Sequence, residues 1–102
     1  LGNYSRFIRP GYRRISLEMK DSRNLFGSAY VSNDGDTIVA VYSNLSSKPI
    51  KLMETHLGWS EVKSITTYTT SSSKNLEENV VDSESPVVLD PESVTTIVYN
   101  LN

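Results

Sequence analysis

After Pro10-Gly11 this chain never again sustains a helical period, and that constrains its fold more than any other feature. The remainder is a series of short runs rich in Val, Ile, Thr and Tyr, cut by turn residues every 8–12 positions or so. The runs span residues 12–18, 26–32, 36–44, 48–55 and 62–70, then short pieces at Val80-Val81 and Val87-Val88-Leu89, and a last run at 94–99. About eight short strands at that spacing predict an all-β fold, an antiparallel β-sandwich. An immunoglobulin-type topology is open, without that family's cysteine and tryptophan hallmarks, and so is a closed barrel. Within the third run, Ile38-Val39-Ala40-Val41-Tyr42 is apolar on both faces and marks a central, doubly covered strand. Asn33-Asp34-Gly35 supplies the positive φ values of a tight hairpin. Leu57-Gly58-Trp59-Ser60 and Asp90-Pro91-Glu92 read as turns, and Ser71-Ser72-Ser73-Lys74-Asn75 as a loop.

The first ten residues differ. Leu1, Tyr4, Phe7 and Ile8 recur at helical spacing, and Pro10-Gly11 ends the period, because proline has no amide hydrogen and restricts the residue before it. A helix of two or three turns is not stable alone in water, so this apolar stripe must rest on something. Either it packs on the sandwich or it is the tail of a helix belonging to a neighbouring body. The chain opens on Leu1 with its first methionine at position 19, which reads as part of a larger product.

The 102 residues suit one domain. There is no cysteine, which excludes disulfides and thiolate metal sites. No run approaches the ~18 apolar residues of a membrane helix. The net charge of −2 is uneven: residues 1–23 hold six basic against two acidic side chains, and the rest four against ten. No glycine-rich loop, aromatic nucleic-acid motif or helix-turn-helix pattern accompanies the basic head, so nucleic acid is not implied.

Catalytic chemistry is hard to assemble from these residues. The one histidine, His56, cannot fill a zinc site without other nitrogen or sulfur ligands, and a serine triad has no Gly-x-Ser-x-Gly elbow to use. A glycosidase needs two carboxylates about 5 Å apart, or wider when inverting. The nearest pairs are Glu77-Glu78, read here in a polar loop, and Asp34/Asp36, read in the hairpin turn, both settings for solvated charges. Sugar binding asks only for flat aromatic faces and a few polar groups. Trp59, in a turn, and Tyr68, in a strand, are the candidates, although most of the strand tyrosines (Tyr12, Tyr30, Tyr42, Tyr68, Tyr99) cap a core edge. No metal or cofactor is implied.

A family pattern runs through the chain in order. Residues 1–12, Leu-Gly-Asn-Tyr-Ser-Arg-Phe-Ile-Arg-Pro-Gly-Tyr, match the pattern Gly-x-Phe/Tyr-Ser-Lys/Arg-Phe-Ile/Val-Arg-Pro-Gly-Tyr. Ser28-Ala29-Tyr30, Ile38-Val39-Ala40-Val41, the stretch from Tyr68 through Thr70-Ser71 to Asn75-Leu76, and Ser93-Val94-Thr95-Thr96-Ile97 come next in turn. Together they resemble glycoside hydrolase family 30 from its barrel-to-side-domain junction onward. The Thr70–Leu76 stretch resembles the glucuronoxylan-cleaving xylanase branch, with the glucosylceramidase-like and β-1,6-glucanase branches left open. The resemblance implies an upstream (β/α)8 barrel that carries both catalytic glutamates, so no catalytic residue transfers to this chain. It implies that residues 1–11 are the tail of a barrel helix plus linker and residues 12–102 a side domain. Leu1, Tyr4, Phe7, Ile8 and Tyr12 would then face the barrel. It further implies a secreted enzyme acting on xylan or a related polysaccharide. The family's side domain also borrows a strand from the polypeptide's own N-terminus, whose loss would leave an open, association-prone edge. An independent carbohydrate-binding module and a plain interaction or adhesion sandwich are the rival readings.

Overall fold

The computed structural model describes residues 7–15, 24–52, 62–81 and 86–101. His56, Trp59, Leu1 and Tyr4 lie outside the described residues. The described residues form eight strands: β1 (Arg13–Ile15), β2 (Leu25–Val31), β3 (Thr37–Asn44), β4 (Ile50–Lys51), β5 (Ser64–Thr70), β6 (Glu77–Val81), β7 (Val88–Leu89) and β8 (Ser93–Asn100). The expected all-β antiparallel fold is what the chain adopts. Six strands form one sheet in the order β1-β2-β3-β8-β5-β6, and β4 pairs with β7 in a second layer. Among the described residues the large sheet is open, with β1 and β6 at its two edges, and does not close into a barrel.

Strand β3 sits in the middle and is buried on both faces, as its unbroken apolar run demands. Alternation along the paired strands sorts every side chain onto one of two faces. The inner face carries Ala29, Ile38, Ala40, Tyr42, Ile65, Ile97 and Tyr99, and Val87 and Leu89 close over it from the β7 side. Ile50 and Leu52 pack on the same core from β4, while Lys51 between them is exposed. This is the alternation read from the sequence.

The local departures have physical reasons. The β2–β3 connection is longer than a two-residue hairpin: Ser32 and Thr37 frame it, and the Gly35 amide donates to the Ser32 carbonyl at 3.0 Å. It needs one left-handed residue, Gly35 (φ 78°), where a type I′ turn needs two. Its acceptor is the Asp34 carboxylate, which takes hydrogen bonds from Ser32 Oγ (2.7 Å) and the Asp36 amide (3.0 Å). Tyr12 lies just before β1 rather than inside it. Glu77 and Glu78 are in strand β6, not in a loop. Pairing with β5 extends the strand N-terminally, opposite Thr69 and Tyr68.

At one end of the sandwich the loops are knotted around Asn44, which is fully buried. Its amide donates to the carbonyls of Lys48 (3.0 Å), Leu89 (3.3 Å) and Asp90 (2.9 Å). Its side-chain oxygen accepts from the Ser46 amide (2.9 Å) and Ser46 Oγ (2.7 Å). A single side chain therefore ties the β3–β4 and β7–β8 connections together. Buried backbone groups need such partners, since each one left unmet costs about 1–3 kcal/mol.

Candidate interface face

The outer face of the six-stranded sheet is where the chain arrives and where its composition is most unusual. The register places Phe26, Ser28 and Tyr30 of β2, Val39 and Val41 of β3, Thr96 and Val98 of β8, and Thr66 and Tyr68 of β5 on that face. The remaining outward side chains of those four strands are Thr37, Ser43, Ser64, Thr70, Val94 and Asn100. None of them is charged. Charge appears only at the margins, with Arg14 on β1 opposite Tyr30 and Glu78 on β6 opposite Tyr68. Val39 and Val41 are buried without belonging to the inner core, whereas Phe26 (53% exposed) and Val80 (78%) stand open.

Phe7 rests on this face. It keeps a helical backbone, and its ring lies 4.5 Å, centroid to centroid, from Tyr68 at a tilt of 32°. That is an ordinary aromatic pairing distance. Beyond it the Tyr12 amide donates to the Arg9 carbonyl (3.1 Å), closing the Pro10-Gly11 turn. Gly11 has φ 96°, and a Cβ there would come within 2.5 Å of the Asn33 side chain, so the turn is pressed onto the β2–β3 connection. The structure thus brings together Phe7 and Tyr68, two residues the sequence assigned to different tasks. Phe7, Ile8 and Tyr12 are all half-buried, so this segment is partly seated on its own sandwich. Sequence reasoning missed the outer valines and Tyr30. Their signal, β3's two apolar faces, was legible, but the side they cover is fixed only by strand pairing.

The chemistry the sequence weighed resolves into structural roles. Glu77 and Glu78 are neighbours along one strand and so point to opposite faces; both are exposed. They do not converge on one substrate. Asp34 holds the hairpin, and the Ser32 hydroxyl, followed by the Asp36 amide, keeps its carboxyl below the usual carboxylate range. Lys74 makes an ion pair with Asp90 at 2.5 Å and with Glu77 at 3.7 Å, and the Asp90 hydrogen bond raises its pKa. The Thr70–Leu76 stretch builds its own loop. The Leu76 amide donates to Thr70 Oγ1 (3.1 Å), the Ser71 amide donates to the Lys74 carbonyl (2.9 Å), and Leu76 takes a left-handed φ of 51°. Burial, with Tyr99 nearby, pushes the Tyr42 hydroxyl well above the ordinary tyrosine range. Among the described residues no three His, Cys, Asp or Glu side chains group as a metal ion would require.

The chain is similar to a glucuronoxylanase, XynC, of Bacillus subtilis, with 30% identity over 102 residues, 96% of this chain and 23% of that protein. Among solved structures it superimposes on a family 30 subfamily 8 xylanase, Xyn30A, from Clostridium acetobutylicum (TM-score 0.79, 25% identity, 97% of this chain, 26% of that one). A family 30 endoxylanase from Clostridium papyrosolvens C71 gives a TM-score of 0.77 at 27% identity, again over 97% of this chain and 26% of that one. No family model matches the chain. The chain spans about a quarter of the length of the relatives it matches. It corresponds to a domain-sized portion of glycoside hydrolase family 30 proteins, as the ordered motifs anticipated.

Proposed function

We propose that this domain is the non-catalytic C-terminal sandwich of a secreted family 30 glycoside hydrolase acting on xylan or a related plant polysaccharide. Its work is to pack on the catalytic barrel and stabilise it. The observation that carries this reading is the match over nearly the whole chain to only a quarter of proteins named as xylanases. The scattered carboxylates agree with it, because the paired acid and base of a glycosidase would have to come from elsewhere in the polypeptide. In this reading residues 1–11 are the end of a barrel helix and its linker, and Leu1, Tyr4, Phe7, Ile8 and Tyr12 make the junction.

The test has two arms. The chain alone should hydrolyse no xylan, and turnover that survives repurification sinks the assignment. Deleting it from the parent enzyme should lower the melting temperature of what remains; an unchanged melting curve removes the stabilising role.

Direct contact with polysaccharide is a second reading, favoured by the half-exposed Tyr68 ring beside the Thr66 and Thr70 hydroxyls. It assigns Tyr68 and Trp59 to sugar stacking. Affinity electrophoresis on xylan decides it: retardation lost in Trp59→Ala or Tyr68→Ala supports binding, and wild type running unretarded ends it.

A further inference from the structure

The geometry points to Asn44 as an N-glycosylation acceptor that is open only in the unfolded chain, so that oligosaccharide addition at this residue and folding of the domain exclude each other. The inference concerns how the domain is made and stands apart from the accessory role proposed above.

Asn44-Leu45-Ser46 is an Asn-x-Ser/Thr acceptor triplet with a residue other than proline in the middle. In a secretory route that carries N-glycosylation, a sugar chain passes to such an asparagine from a lipid-linked diphosphate. The bond between the anomeric carbon and the diphosphate oxygen breaks, a bond from that carbon to Nδ2 forms, and Nδ2 gives up one proton. Acceptors that keep their sugar lie on the surface. Asn44, by contrast, is 0% exposed.

Both groups of the triplet are consumed inside the knot. Nδ2 faces the carbonyl oxygens of Lys48 (3.0 Å), Leu89 (3.3 Å) and Asp90 (2.9 Å), and Ser46 Oγ lies 2.7 Å from Asn44 Oδ1. A C–N single bond of about 1.45 Å along either N–H direction would leave under ~2 Å to the carbonyl oxygen ahead, with the rest of the sugar ring still to place. Turning the side chain outward would strand those carbonyls and the two Ser46 donors.

The order of synthesis opens the window. Ser46 and Lys48 are local to Asn44, but Leu89 and Asp90 lie 45 and 46 residues further on, and the β8 residue paired with Asn44 is Ser93. The knot cannot close until those residues have been made. At about 5–20 residues per second, the intervening stretch takes roughly 2–9 s, during which the triplet has no tertiary protection. A chain modified in that interval carries a bulky polar group where the fold has no space, and it cannot complete the sandwich.

Secretion of the full-length polypeptide from a yeast host tests this. An endoglycosidase that leaves one N-acetylglucosamine behind marks each occupied asparagine for peptide mass spectrometry. Occupancy of Asn44 should be at least ~10-fold higher in the retained, aggregated pool than in the secreted, soluble pool. In Ser46→Ala, which no longer meets the pattern, the mark should vanish from both pools; a mark that persists overturns the proposal. The same polypeptide made in a bacterial cytoplasm supplies the melting curve of unmodified protein. Soluble material that carries sugar on Asn44 and melts on that same curve overturns the proposal, because fold and sugar would then coexist. A wild-type chain with no mark in either pool overturns it as well, because folding would then outrun transfer. The wild-type occupancies decide the matter even where Ser46→Ala fails to fold.

Discussion

The two faces of the large sheet are built from the same strands and yet are held by different things. On β8, Thr95, Ile97 and Tyr99 point inward and are almost wholly buried; on the outward side Thr96 is buried as well, and only Val94 and Val98 are half-open. The inner face is closed by Val87, Leu89, Ile50 and Leu52 from the second layer. The outer face has the same freedom from charge, but within the described residues it receives Phe7 on Tyr68 and leaves Phe26 and Val80 in water. Composition therefore does not separate the two faces; what lies opposite does. Truncating the inner face tests the fold, and truncating the half-open positions of the outer face tests how much less they contribute.

The largest expected effect comes from setting neighbours on β8 against each other. Ile97→Ala removes a side chain with no exposure and should cost about 3–4 kcal/mol in a urea melt. Val98→Ala, one residue on and half-exposed, should cost less than ~1 kcal/mol in the isolated chain. Equal losses would erase the distinction between the faces.

Next comes the knot at the sandwich end. Asn44→Ala removes the amide that serves three carbonyls and the acceptor that Ser46 uses, and should lower stability by about 2–3 kcal/mol. A shift in the urea midpoint no larger than that of Val98→Ala would show the loops are held by packing instead.

A smaller effect, of the opposite sign, is expected on the inner face. Thr95 Oγ1 is buried without a hydrogen-bond partner. Thr95→Val keeps the shape and removes the orphaned hydroxyl, so the thermal midpoint should rise, by about 1 kcal/mol of added stability. A fall would mean the hydroxyl has a partner, such as a buried water.

The smallest effect is a pH dependence at the hairpin. Asp34 has its folded pKa depressed by Ser32 and the Asp36 amide. Its contribution is present above the ordinary carboxylate value near 4 and is lost as pH falls through the lower folded value. Asp34→Asn should therefore flatten the acid limb of the stability curve, by slightly lowering stability at pH 7 and leaving it close to wild type once pH falls below the folded value. A variant with the same acid limb as wild type would show that Asp34 plays no part in it.

Much of the fold was readable in advance, and the reasons differ by residue. Ile50, Lys51 and Leu52 showed their facing through period-two alternation, which is a property of the backbone itself. Gly35 announced its turn because few other residues tolerate positive φ. Glu77-Glu78 misled, because a polar pair reads as loop until the Tyr68 and Thr69 strand is known to lie beside it. Asn44 gave no warning: its partners at Leu89 and Asp90 are distant in sequence and are brought near only by the fold.

By itself the sequence determined the all-β class, the central place of β3, the Pro10-Gly11 break and the likeness to family 30, since each depends on local period, local dihedral limits or ordered motifs. Tertiary structure alone decided that Phe7 meets Tyr68, that Asn44 ties two connections together, and that four strands share a second charge-free face. Those facts depend on register across strands remote in the chain, and no local preference encodes which strand will lie beside which.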